Sequence, residues 1–213
     1  MQRVRTPSRD RLIIFGRYPV PGRTKTRLIP ALGPLGAADL QRRLTENILE
    51  TGARFARSRE IEVEICFEGG SKKKMVQWLG SEPILSRQVS GNLGERMRAA
   101  FLNAFQRGAG RVVLLGTDIP QIRRDHLEQA FNALAKNDLV IGPSTDGGYW
   151  LIGLNHHVDL FEGIQWSTDA VFRQTIILAK KQGLRTKTLT PLIDIDTKED
   201  LNQVLPGWSL KGS

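Results

Sequence analysis

Residues 112–120 read VVLLGTDIP. Four consecutive apolar residues give a strand with no wet face, the pattern of a central strand in a parallel sheet covered on both sides. Gly116 ends the run and Pro120 prevents its continuation, so Thr117 and Asp118 fall at the carboxyl end of that strand. In open α/β sheets ligands bind at this edge. Asp118 there suits a Mg²⁺ ion, which takes one or two carboxylates together with phosphate oxygens and water. It suits equally an Asp that shapes the turn before Pro120.

Outward from this stretch, strand and helix patterns alternate. On the N-terminal side, Arg11–Phe15 reads as a buried strand and residues 35–56 as a helix, with Leu40, Leu44, Ile48 and Leu49 on one stripe. Ile61, Val63, Ile65 and Phe67 alternate with Glu62, Glu64, Cys66 and Glu68, predicting a strand with one wetter face. A short helix over 72–79, a strand over 84–89 and a helix over 94–107 follow. On the C-terminal side the pattern predicts a helix over 125–136, a strand over 139–141 and an extended Tyr149–Leu154. A helix over 169–182, a strand over 184–189 and a helix over 197–205 complete it. Alternating β and α units imply a single-domain, doubly wound, mostly parallel sheet with helices on both faces. The domain is expected to span residues 11–205, between a disordered basic tail at 1–10 and a C-terminal tail at 206–213.

Composition narrows the function. The 213 residues carry a net charge of +9, of which residues 1–30 hold +7. A nucleic-acid binder spreads its charge over a groove-sized surface. Here the excess divides between a tail and one loop, which points to a small anionic ligand and away from nucleic acid. No apolar run reaches membrane-span length. The single cysteine, Cys66, excludes an intrachain disulfide and reads as a packing residue. A cytoplasmic protein is the expectation.

The loop is Gly16–Gly33, GRYPVPGRTKTRLIPALG. It fails the Walker A register, because Arg23 and Thr24 separate Gly22 from Lys25, and it lacks the three glycines of the dinucleotide fingerprint. The ingredients of an anion site remain. Pro19 and Pro21 stiffen the loop, Gly22 permits close backbone approach, and Arg23, Lys25 and Arg27 can bond phosphate oxygens. A solvated basic turn would use the same residues.

Other strand ends carry further candidates. Asp146-Gly147-Gly148-Tyr149-Trp150 pairs flexible glycines with aromatics that could stack on a ring. Gly91-Asn92-Leu93-Gly94-Glu95-Arg96 could line a base or sugar pocket or simply make a turn and cap before a helix. Thr197 and Asp200 form a helix-start pattern, leaving Asp194 and Asp196 on either side of Ile195, of which an extended segment would turn only one to the ligand. His126 reads as an exposed helix residue, and His156-His157 as a polar loop.

Together these segments resemble the DUF2064, or selenodomain-associated transferase 1, family of GT-A-fold proteins. The resemblance rests on Phe15-x₃-Pro19-x-Pro21-Gly22-x₂-Lys25-Thr26-Arg27-Leu28, Leu93–Met97, Gly116-Thr117-Asp118-x-Pro120 and Asp146–Gly153. Ile164-x-Trp166-Ser167-Thr168 and Asp194-x-Asp196-Thr197 extend it. The Lys-x-Arg-Leu loop, the Asp-Gly-Gly turn and the late Asp-x-Asp-Thr segment are also distantly similar to 2-phospholactate guanylyltransferases. Arg17 stands where the family often has Lys, and Ile119 where it often has Cys, which argues against a catalytic thiol.

The resemblance implies a GT-A (nucleotide-diphospho-sugar transferase) fold and a Mg²⁺- or Mn²⁺-dependent glycosyltransferase with a nucleotide-sugar donor and a small-molecule acceptor. The alternative is a nucleotidyltransferase that releases pyrophosphate. Pro21, Gly22, Arg23, Lys25, Arg27, Gly91 and Gly94 would bind the nucleotide, and Asp118, Asp194 and Asp196 the metal. Gly147, Gly148, Tyr149 and Trp166 would contact substrate, with Asp146 and Lys25 catalytic.

Overall fold

The computed structural model describes residues 9–207. Of the expected tails at 1–10 and 206–213, residues 1–8 and 208–213 lie outside the described residues. Asp10 already belongs to the first strand, one residue before the expected domain start.

Among the described residues, seven strands form one sheet: β1 (Asp10–Arg17), β2 (Ile61–Glu68), β3 (Ile84–Arg87), β4 (Val112–Gly116), β5 (Leu139–Pro143), β6 (Tyr149–Leu154) and β7 (Thr186–Thr188). Their order is β3-β2-β1-β4-β6-β5-β7. All neighbours run parallel except β6, which is antiparallel to both β4 and β5. The central apolar runs supply both cores. Leu12, Ile14, Val113 and Leu115 face one side, and Ile13, Val112 and Leu114 the other.

Among the described residues there are six α-helices, the first five packed on the two faces of the sheet: α1 (Ile29–Arg57), α2 (Lys72–Leu79), α3 (Leu93–Gln106), α4 (Arg124–Ala133), α5 (Val171–Lys181) and α6 (Lys198–Val204). Ile48 and Phe55 of α1, Met75 of α2 and Phe131 of α4 pack on one face. Met97 and Phe101 of α3 and Ala179 of α5 pack on the other. A third cluster joins Leu28, Leu40 and Leu44 to Ile195 and Leu201, holding the opening loop and the late segment as one unit.

Helix α1 begins earlier than its apolar stripe. One turn precedes Gly33, whose φ of 68° and ψ of 167° break the helix, and Pro34 restarts it. The other elements match their expected positions within a few residues. Asn92 with Glu95, and Thr197 with Asp200, form reciprocal caps on α3 and α6.

The wetter face expected on β2 is a correction. Glu64 and Cys66 are buried, and Glu64 accepts from Arg11 at 3.0 Å and from the Ser86 hydroxyl. α3 covers a face that strand alternation alone had left to solvent, and the neighbouring strands β1 and β3 supply the partners of Glu64. Burial pushes the Cys66 thiol up to about 11, consistent with a packing role.

Candidate functional site

The carboxyl ends of β1, β4 and β5, with the segment after β7, converge at one edge of the sheet. The loop after β1 is closed by Thr24, whose buried hydroxyl accepts the Val20 N–H at 3.0 Å. Lys25 then takes a left-handed conformation, φ 50° and ψ 46°. This turns the chain into the single 3₁₀ turn Thr26–Leu28 and sends the Lys25 side chain inward. Its ammonium lies 3.0 Å from Asp118 Oδ1 and 3.6 Å from Asp196 Oδ1, and it donates to the Ile195 carbonyl. Arg27 reaches Asp196 Oδ2 at 3.2 Å from the solvent side.

Ile195 is fully buried in the third cluster, and its N–H donates to the Asp118 carbonyl at 2.9 Å. Residues two apart lie on the same side of an extended chain, so with Ile195 turned to the core Asp194 and Asp196 both line the same cleft, which corrects the expectation that only one would reach the ligand. Burial, and then the charges of Asp146, Asp196 and Asp118, push the Asp194 carboxyl up to about 6. Concentrated carboxylate charge of this kind suits a hard cation with oxygen ligands. Among the described residues no group of three His, Cys, Asp or Glu side chains is arranged to hold a metal alone. Mg²⁺ and Mn²⁺ sites completed by phosphate oxygens need only one or two carboxylates, and Asp118 and Asp196 fit that requirement.

Two clefts meet at this point. The first, about 390 Å³, is lined by Arg17, Lys25, Arg27 and Arg96, with Gln88 and Glu68. The second, about 510 Å³, is lined by Ser144, Asp146, Tyr149, Trp166, Asp169 and Asp194. Asp118, Asp196, Arg27 and Leu93 border both. A groove of about 550 Å³ opens at the far end of the sheet, but its Arg57 and Glu82 face each other at 3.9 Å and its other walls are mainly aliphatic.

The expected site residues separate into two groups. Lys25, Arg27, Asp118, Asp146, Gly148, Tyr149, Trp166, Asp194 and Asp196 line the clefts. Pro21, Gly22 and Arg23 are exposed and lie outside both. Gly91 leads into the α3 cap, and Gly94 packs beneath Trp166, where an added Cβ would fall 2.5 Å from the indole. Gly147 is a packing residue: at φ +90°, its Cβ would lie 2.2 Å from the Asp169 carbonyl oxygen. Asp146 Oδ1 shapes its own turn, accepting from the Ser144 hydroxyl and the Gly148 N–H at 2.9 Å. His126 is half-buried against Trp150, not exposed.

Sequence reasoning missed Gln88 and Gln41, and it placed Arg96 and Thr117 in candidate segments without giving either a role. Arg96 and Arg17 share Glu68, at 3.0 and 2.7 Å, which holds both cations at the first cleft. Gln41 donates to the Thr117 hydroxyl at 2.8 Å beside Asp118. Gln41 and Thr45 are a polar i, i+4 pair inside the α1 stripe, a detectable signal.

Residues 51–168 match the model of the family described as uncharacterized protein conserved in bacteria (DUF2064). A solved structure from Desulfovibrio desulfuricans G20, provisionally named a nucleotide-diphospho-sugar transferase, is 35% identical with a TM-score of 0.86, over 92% of this chain and 85% of that one. The 2-phospho-L-lactate guanylyltransferase of Methanocaldococcus jannaschii is 33% identical over 96 residues, 44% of this chain. The match spans 42% of that relative's length. A manganese complex of Rv0371C from Mycobacterium tuberculosis H37Rv shares the fold, at 18% identity and a TM-score of 0.55, over 94% of this chain and 99% of that one. Among the described residues no helix is long and apolar enough to cross a membrane.

Proposed function

The chain belongs to the DUF2064 family, and from that premise we propose that it is a glycosyltransferase acting on a nucleotide-diphospho-sugar. The observation that carries the reading is the junction of a basic cleft with a carboxylate cluster at Asp118. Arg17, Lys25, Arg27 and Arg96 bind the diphosphate through charge-assisted hydrogen bonds. Asp118 and Asp196, with Asp194, would hold Mg²⁺ or Mn²⁺, which supplies charge neutralisation for the departing diphosphate. Asp146 orients the acceptor hydroxyl and takes its proton as the new glycosidic bond forms. The bond between the sugar carbon and the diphosphate oxygen breaks, and its electron pair leaves with the nucleoside diphosphate.

Nucleotidyl transfer is the second reading, favoured by the guanylyltransferase relative. In that reaction the basic loop stabilises departing pyrophosphate. Fold likeness does not separate the two.

The test is a thermal-shift panel of nucleotides and nucleotide-sugars with and without Mg²⁺ or Mn²⁺, followed by product analysis. A ligand at 100 times its Kd stabilises by about 2.7 kcal/mol. A metal-dependent shift lost in Asp118→Ala supports the site. Released nucleoside diphosphate supports glycosyl transfer, and released pyrophosphate supports the second reading. No shift with any nucleotide overturns both.

A further inference from the structure

The two clefts have opposite electrostatic character. The first carries four cationic side chains, Arg17, Lys25, Arg27 and Arg96, against Glu68, Asp118 and Asp196. The second carries Asp118, Asp146, Asp169, Asp194 and Asp196 with Arg27 alone. A divalent cation at Asp118 and Asp196 would leave the far wall, Asp146 and Asp169, uncompensated. That wall also presents the Ser167 side chain beside Tyr149 and Trp166, while the Ser144 hydroxyl donates to Asp146 and the Thr168 hydroxyl to the Gln165 carbonyl.

Carboxylates accept hydrogen bonds from hydroxyls, and serine and threonine both donate and accept. Aromatic side chains cover the apolar face of a ring while their polar edges stay wet. Carboxylates and hydroxyls beside aromatic walls therefore match a polyhydroxylated ring. The same wall repels a carboxylate or a second phosphate, because like charges facing across a small cleft are strongly disfavoured.

The geometry points to the second cleft as the seat of an uncharged polyhydroxylated ring, selected against anionic sugars by Asp146 and Asp169. This deepens the proposed transferase reading and rests on it. The ring arrives either as the sugar of the nucleotide donor or as a free acceptor. Trp166 is its platform and the two aspartates are its charge filter.

The experiment is saturation-transfer NMR on the full chain with Mg²⁺ and a nucleoside diphosphate present. The probes are methyl glycosides of glucose, galactose and mannose, myo-inositol, and methyl glucuronoside, which differs from the glucoside chiefly by its carboxylate. At least one neutral ring binds, and the glucuronoside binds at least tenfold more weakly than the glucoside. Trp166→Ala loses the neutral-ring signal. The double variant Asp146→Asn/Asp169→Asn, with its fold checked by thermal melting, narrows the glucuronoside penalty to less than threefold. A ring that binds beside the nucleoside diphosphate marks an acceptor. A nucleotide-sugar that binds more tightly than its diphosphate, and blocks the free ring, marks the donor sugar.

Equal or tighter glucuronoside binding overturns the inference, as does silence from every ring while the nucleotide still binds. Silence from the nucleotide overturns the transferase reading instead, and that outcome is scored separately by the nucleotide's own signals.

Discussion

Lys25 Nζ sits 3.0 Å from Asp118 Oδ1, in a side chain only 4% exposed, whereas the carboxylate it neutralises is 42% exposed. The cation is fixed by the fold and the anion is open to ligand. The same ammonium is shared with Asp196 and with the Ile195 carbonyl, which ties the loop after β1 to the segment before α6.

Replacing Lys25 with Met is therefore expected to cost more function than stability. The exposed aspartates re-solvate, so the fold loses only about 1 kcal/mol in urea unfolding. Turnover, read as nucleoside diphosphate release, falls by about 100-fold, because a preorganised cation at the leaving group is removed. Lys25→Arg fails to restore it, since the planar guanidinium does not fit the position of a compact, buried ammonium. Turnover of Lys25→Met within threefold of the parent would remove Lys25 from the machinery.

How far the sequence carries this picture depends on the kind of signal. Strands such as Val112–Leu115 and the stripe of Leu40, Leu44 and Ile48 were legible because periodicity reports burial directly. Asp118 was legible because it follows a central strand. The antiparallel insertion of β6 was not, since an apolar run has no direction. Burial of Glu64 was hidden because its partner Arg11 lies 53 residues away. The shared side of Asp194 and Asp196 follows from their i, i+2 spacing, but that Ile195 takes the core side, and so turns both to the cleft, is a tertiary contact that local spacing does not report.

His126 predicts a pH effect. Its Nδ1 accepts the Arg123 N–H at 3.1 Å, which only a neutral ring can do. Burial, and then the Arg123 charge, lower its affinity for a proton, with Asp125 acting in the opposite direction. The unfolded chain therefore binds the proton at a higher pH than the native state does. This contribution to stability is intact above about pH 6.5 and is lost as the pH falls toward the depressed native value. Urea titrations of the parent and His126→Gln at pH 7.5, 6.0 and 5.0 isolate it, because the carboxylates are common to both. The parent loses ground to the variant on acidification, and parallel curves would contradict the assignment.

Ser167 holds a φ of 65° at the rim of the second cleft, in a region that L side chains rarely adopt. Glycine there relieves the strain at the loss of one hydroxyl from the wall of the cleft. Ser167→Gly is expected to gain up to about 1 kcal/mol, or roughly 2–4 °C in Tm for a chain of this size. A fall in Tm would mean that the hydroxyl contributes more than the backbone strain costs.

Gly147 reverses that logic. Its φ of +90° disfavours any side chain, and a Cβ would meet the backbone of Asp169 at 2.2 Å, so no rotamer change can relieve the clash. Gly147→Ala is expected to cost about 2–4 kcal/mol from left-handed strain and backbone displacement together. The damage is local to the turn that Asp146 closes on Gly148, and the Gly147 carbonyl also accepts the Phe172 N–H at 2.9 Å from the first turn of α5. Nucleotide binding in the first cleft, formed by Arg17, Lys25, Arg27 and Arg96, should survive in the folded fraction, whereas ring binding in the second is lost. Calorimetric melting together with the two binding signals checks this. Equal loss of both would show that the clefts are coupled through the β5–β6 turn rather than built independently around Asp118.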